Sequence, residues 1–309
     1  MLNRRQALKF TGITAAAPFM PASDGFFREA NARASDFKFC LNMSTIRGHK
    51  LGYLKELEIA SKAGFQHAEI WIESLQQYLS SGGTVKEAKS RMDTLGITAE
   101  NAIGFARWIV DDDSVRKQGI EQLKKEMDIL AQIGCKRIAA PPTGATDTPG
   151  LDLRKAAERY RAILEVGDQT GVVPHLELWG FSKNLSRASE VIFVAMESGH
   201  PSARVLLDTY HLYKGGSPVE TLWMIGKPAM ELMHLNDFPA ISRETITDAD
   251  RVHPGDGTGP IKQILKQLKK PDQPLILSEE VFNKKYYAQD PLEVAKTAME
   301  KMKKIIEGV

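Results

Sequence analysis

Five times along this chain a helix-spaced segment runs into a glycine and an apolar, strand-like run begins at once: KAGFQHAEIWI, TLGITAENAIGF, QIGCKRIAAPP, QTGVVPHLELW and ESGHPSARVLLD. Gly64, Gly96, Gly134, Gly171 and Gly199 each supply the left-handed residue that stops a helix, so the pattern predicts helices that hand over directly to strands. Adding residues 37–42 in front and 230–236 and 274–280 behind gives eight strands separated by helix-length segments. Eight such units fit a single (β/α)8 TIM barrel better than an open sheet, and residues 35–309 are assigned to it. The helices carry their own signals. Asp113 and Ser114 are placed to cap a helix over 115–133, where Ile120, Leu123, Met127, Leu130 and Ala131 recur at helical spacing.

Composition narrows the function. The chain has 309 residues with 41 Lys+Arg against 39 Asp+Glu, a formal charge of +2 that gives no bulk electrostatic reason to bind nucleic acid or an anionic membrane. A small-molecule partner is expected. Cys40 and Cys135 are too few for a disulfide scaffold or a four-thiolate zinc site and are expected as buried thiols. No apolar run approaches the roughly 18 to 20 residues of a membrane-spanning helix. The start, MLNRRQALK with Arg4 and Arg5, a weakly apolar stretch over 10–20 and small residues at Ala30-Asn31-Ala32, resembles a twin-arginine export signal. Residues 1–34 are therefore expected to be an address, and the barrel periplasmic or otherwise exported. The competing reading is a basic N-terminal helix of a cytosolic protein. The twin-arginine route carries folded, cofactor-loaded proteins, which suits a metalloenzyme.

In a barrel the reactive groups sit at the carboxyl ends of the strands, and the last four strands each end in one. They are Glu177 in HLELW, Asp208 in VLLDTYH, His234 in ELMHLND and Glu280 in LILSEEVF. Strand alternation puts Glu177 on the face of His175 and Trp179, Asp208 with Leu206, and Glu280 with Ser278, while Glu279 points outward. Taken singly, each reads as a hydrogen-bonded polar residue. Converging on one axis, three carboxylates and an imidazole would cost several kcal/mol if dry and unpaired. A divalent cation removes that objection. The mixed set of three oxygens and one nitrogen suits Mn²⁺, Mg²⁺ or Co²⁺ at least as well as Zn²⁺, and Mn²⁺ is favoured. The connection from Asn236 to a helix near Pro260, about 23 residues rich in Asp, Thr, Gly and Pro, exceeds the usual loop length and is expected to be functional.

The segments DTYHLYKGGS, HLNDFP, DADRVHPGDG and LSEEVFNKKYYAQDPLEVA, in this order, resemble the xylose isomerase-like TIM-barrel superfamily in its sugar phosphate isomerase/epimerase branch. The likeness covers about residues 36–306. It implies one divalent metal held by Glu177, Asp208, His234 and Glu280, and substrate contacts from His211 and Arg251. The expected function is a sugar isomerase or epimerase that abstracts a proton beside a metal-bound carbonyl and passes through an enediolate. Glu177 and Glu280 would flank the substrate carbon as base and acid; opposite faces give epimerisation and one face gives isomerisation. Two features depart from the free-ketose 3-epimerases. Lys183 stands where those enzymes have a further glutamate, and the loop between His234 and Arg251 is longer.

Lesser candidates follow from position. Glu69 in AEIW, with Trp71, Trp108 and Trp179, is placed to line a sugar site, although buried aromatics are commonly core. His175 reads as a satisfied interior histidine, and His253 as structural or solvated. Lys214 beside Gly215 and Gly216 is a weak anion seat. A lyase or hydratase acting on 3-keto-glycosides and a non-catalytic sugar-binding barrel remain as alternatives. A multi-zinc nuclease would need more strand-end histidines than His211 and His234, out of seven in all. Homo-oligomerisation is left open.

Overall fold

Every expected strand forms, because each apolar run is short, bounded by a helix-stopping turn and covered on both faces. The computed structural model describes residues 36–226, 229–270 and 273–309; the expected export signal lies outside them. The strands are β1 (Phe37–Asn42), β2 (His67–Trp71), β3 (Thr98–Ile103), β4 (Arg137–Ala140), β5 (Val173–Glu177), β6 (Arg204–Asp208), β7 (Leu232–Leu235) and β8 (Leu275–Glu279). All pairings are parallel, in the order β3-β2-β1-β8-β7-β6-β5-β4. The two ends of that order, β3 and β4, lie side by side, so the sheet curls into a nearly closed barrel.

The outer layer contains α1 (Tyr53–Lys62), α2 (Ile72–Ser80), α3 (Val85–Leu95), α4 (Asp113–Ile133), α5 (Leu153–Thr170), α6 (Ala188–Glu197), α7 (Thr209–Gly215), α8 (Ile261–Leu268), α9 (Lys284–Tyr287) and α10 (Pro291–Ile305). The five handover glycines have φ of 90°, 65°, 84°, 75° and 59°, as their helix-ending role requires. The cap of α4 falls one residue earlier than expected. Asp112, in the run Asp111-Asp112-Asp113, accepts from the Val115 amide, and Asp113 is already helical. Leu123, Met127 and Leu130 of α4 are buried against the sheet, where truncating any one costs about 2–5 kcal/mol. Both cysteines are buried and free. Among the described residues no helix is long and apolar enough to cross a membrane.

Candidate metal centre

Asp208, the last residue of β6, is also the N-cap of α7. Its side chain accepts from the His211 amide at 2.9 Å, which explains the three-residue spacing between the two. From the neighbouring strand His234 enters at the same level, since Asp208 and His234 are register partners. His234 Nε2 lies 3.0 Å from Glu69 Oε1, and Glu69 is fixed in turn by Asn101 Nδ2 at 2.7 Å. That contact places the ring proton on Nε2 and leaves the Nδ1 lone pair facing three carboxylates. Nδ1 is 3.2 Å from Glu280 Oε2, 3.7 Å from Glu177 Oε1 and 3.7 Å from Asp208 Oδ2, yet it is buried without a hydrogen-bond partner.

This geometry fits a metal ion. Donors about 2.1 Å from a shared cation sit roughly 3–4 Å from one another. Donor atoms of Asp208, His234 and Glu280 all lie within 4.8 Å of each other, and Glu177 stands at the edge of that triad. Electrostatics agree. Burial, with Glu280 and Glu69 nearby, pushes the Glu177 carboxyl up to about 8. Burial also works against charge on His234, but Glu280 and Glu69 overcome it and hold its pKa well above the usual value. Without a cation, then, the cluster neutralises itself with protons that a divalent ion would displace.

Arg251 arrives from the long connection after β7, and its guanidinium is buried on the same floor. Nη1 donates to Asp208 Oδ2 at 2.9 Å and to Glu280 Oε2 at 2.7 Å, while Nη2 reaches Asp248 Oδ1 and His211 Nε2 at 3.1 Å. Burial keeps His211 neutral, lowering its pKa to about 3, so its proton sits on Nδ1, which has no partner. His211, Arg251, Glu177, Glu280 and Trp179 line one cavity of about 360 Å³. Asp208 and His234 lie beneath its floor, both fully buried.

Other expectations place differently. Glu69 is wholly buried beneath His234 and does not line the cavity. Trp71 does line it, whereas Trp108 is core and donates to Pro141 O. His175 is interior but unsatisfied: neither ring nitrogen has a partner, and burial lowers its pKa to about 3. Glu279 leaves the axis as expected, yet it is buried against His253 Nδ1 at 2.5 Å, so His253 is structural and not solvated. Lys214 seats no anion, because its ammonium donates to the carbonyls of Glu244 and Ile246.

Several residues escaped the sequence reading. Asn236 Nδ2 spans both Asp208 oxygens at 3.1 Å, and Asn42 Nδ2 and Ser44 Oγ each donate to Glu280 Oε1 at 3.3 Å. Asp237 accepts four backbone amides, from Phe238, Gly255, Gly257 and Gly259, at 2.8 to 3.1 Å. A Cβ on Gly257 would lie 2.5 Å from Asp237 Oδ1 and 2.3 Å from the Phe238 carbonyl, so only glycine allows this approach. Asp237 and Val252 also exchange backbone bonds, which anchors the loop one residue from Arg251. Pairing the H-x-N-D signal with the Pro-Gly turn would have pointed to this clasp.

A family model described as xylose isomerase-like TIM barrel matches residues 57–305. The inosose isomerase of Bacillus velezensis is 25% identical over 275 residues, covering 87% of this chain and 97% of its own length. A solved structure of the IolI protein with a bound zinc atom superposes with a TM-score of 0.79 at 21% identity, over 88% of this chain and 98% of that one. An L-ribulose 3-epimerase structure gives 0.70 at 17% identity, over 88% and 95%. With a family match running from α1 to the end of α10, the chain belongs to the xylose isomerase-like TIM-barrel family.

Proposed function

We propose that this barrel is a divalent-metal-dependent sugar isomerase or epimerase acting by proton transfer beside a carbonyl. The carrying observation is the partnerless Nδ1 of His234, locked by Glu69 and aimed at the carboxylates of Glu177, Asp208 and Glu280. These four residues would hold one cation, with Mn²⁺ the proposed ion. A cation held there would supply Lewis acidity, acidifying the C–H beside a substrate carbonyl. Glu177 and Glu280 reach the cavity from β5 and from the residue after β8, and so can address a substrate carbon from two sides. One removes the proton and the other returns it; return to the opposite face of the same carbon inverts the centre, and delivery to the former carbonyl carbon moves the carbonyl. His211 donates from Nδ1 to a substrate oxygen, and Arg251 fixes Asp208 and Glu280 while lining the floor. The inosose and ribulose named in the relatives make a cyclic or open polyhydroxy ketone the substrate class to test first.

Metal analysis of purified protein should find about one divalent ion per chain, absent in His234→Gln. Incubation of the loaded protein with inososes and ketoses in D₂O should place deuterium at the carbon beside the carbonyl. Stoichiometric metal with no exchange on any polyhydroxy ketone would sink the reaction, and no metal would sink the centre itself. We also propose that the protein works outside the cytoplasm. Replacing Arg4 and Arg5 with Lys should trap it in the cytosolic fraction, and unchanged distribution would refute export.

A further inference from the structure

One wall of the cavity plays no part in the chemistry above, and it is aromatic. The ring centroids of Trp71 and Phe105 are 5.2 Å apart, those of Phe105 and Trp179 6.1 Å, and those of Trp179 and Phe181 5.2 Å with planes 29° apart. Four rings thus form one continuous arc above the ends of β2, β3 and β5. The arc is braced from behind: Trp71 Nε1 donates to Ser44 Oγ at 2.9 Å, and the Arg47 guanidinium lies 3.6 Å from the Trp71 ring centroid. Phe105 and Phe181 nevertheless stay 38% and 44% exposed, large apolar faces left open at the rim of a cleft.

Polar groups are confined to the opposite end. Among the described lining residues the only permanent cation is Arg251, already committed to Asp208, Asp248 and Glu280. Among the lining residues, a phosphate at the remote end of a substrate would meet aromatic carbon and no uncommitted cation. A ring with an apolar face would meet a matching surface. A volume of about 360 Å³ falls within the roughly 300–1,000 Å³ of small-molecule pockets.

Resting on the proposed reaction only for which end of the substrate reacts, we infer that the arc is a stacking subsite for a second ring. The substrate class is an unphosphorylated keto-glycoside: its ketone-bearing sugar sits at the metal end of the cavity, and its remote ring lies against Phe105, Trp179 and Phe181. The shared chemistry is a ring face; an aryl group and a second sugar are its two sources.

Quenching of tryptophan fluorescence in the full, Mn²⁺-loaded chain carrying Trp108→Phe and Trp223→Phe, which leaves Trp71 and Trp179 as the emitters, reads binding. The probes, chosen without a ketone so that none turns over, are methyl β-glucoside, phenyl β-glucoside, cellobiose and glucose 6-phosphate. Phenyl glucoside or cellobiose should bind about tenfold more tightly than methyl glucoside, the winner naming the source, and the phosphate ester should gain nothing. Phe181→Ala and Phe105→Ala, at exposed positions, should bring the ratio to within about twofold with methyl glucoside unchanged. Phe181→Leu, which keeps apolar bulk without a ring face, should behave like the alanine variant. Equal affinities, a ratio that survives both alanine substitutions, tighter binding of the phosphate ester, or no binding of any probe would each overturn the subsite. The two readings fail separately. A lost ratio with intact deuterium exchange sinks only the subsite, and an intact ratio without exchange sinks only the reaction.

Discussion

The two ends of the barrel handle charge in opposite ways. At the amino ends Glu231 takes Arg137 at 2.7 Å and Arg204 at 2.9 Å, and Arg137 continues to Glu100 at 3.0 Å, with His67 2.7 Å further along the chain of contacts. Each positive group has a negative neighbour. At the carboxyl ends Glu177, Asp208 and Glu280 crowd one imidazole, and His234 Nδ1, His211 Nδ1 and Arg251 Nε are left buried without partners. Both ends are built from strand termini of one sheet, so the fold alone does not set this difference. The amino end, the barrel's floor, is ion-paired apart from the unpartnered ring of His175, whereas the mouth gathers its unmet bonding capacity around one cluster.

The largest expected effect separates rate from stability at the mouth. Glu177→Gln should lower the turnover rate about 10³-fold while leaving the melting temperature of the metal-free protein at neutral pH nearly unchanged, because burial already keeps that carboxyl protonated and glutamine is a neutral group of the same shape. Steady-state kinetics beside calorimetry check this. A marked loss of stability would mean that Glu177 is a paired structural group and that the contrast between the ends is wrong.

Asp237 tests the exception, a mouth carboxylate whose four amide contacts satisfy it fully. Asp237→Ala should cost about 3 kcal/mol and also reduce activity, because the loop that carries Arg251 loses its anchor. Urea melts and limited proteolysis within residues 238–260 would show both. An equally protected loop would place the anchor elsewhere, for instance in the bond from Asn283 Nδ2 to the Arg251 carbonyl.

At the floor the effect should be on stability alone. Burial raises the Glu231 carboxyl, but the permanently charged Arg204 and Arg137 outweigh it and bring the pKa down to about 2. The folded pKa lies below the unfolded one, so the stabilisation is complete above about pH 4.5 and is lost as pH falls toward 2. With its side chain 20% exposed, Glu231→Gln should cost on the order of 2 kcal/mol at pH 7 with kcat/KM unchanged. Wild-type and variant melting curves should converge in acid. A constant gap down to pH 2 would remove the ionic explanation.

What the sequence made legible follows the same divide. Local signals sufficed for the eight strands and for the placing of Glu177, Asp208, His234 and Glu280 at strand ends, because a glycine stop and a polar residue ending an apolar run are read within ten residues. Glu69 was misplaced because Trp71, two residues on along the same face, takes the strand end and leaves Glu69 one level deeper, opposite Asn101. The α4 cap slipped by one because three consecutive aspartates offer the same chemistry. Asn42, Asn236 and Asp237 went unread because their roles exist only across strands, up to 238 residues apart for Asn42 and Glu280. His175 was read as satisfied because sequence counts no partners.

The smallest effect lies on the outer ring, away from both ends. Thr84 caps α3 in a reciprocal box: its hydroxyl accepts from the Glu87 amide at 3.2 Å, and Glu87 Oε2 accepts from the Thr84 amide at 2.9 Å. The motif is exposed and far in sequence from every proposed ligand, so only the local term should respond. Thr84→Ala should cost about 1 kcal/mol, without change in metal content, in the phenyl-to-methyl binding ratio or in the acid convergence at Glu231. Chemical denaturation with an unchanged m-value measures it. A shift in metal affinity would show that stress in the helical ring reaches the mouth, and the separation of a stabilising floor from a reactive mouth would then need a third, coupled region.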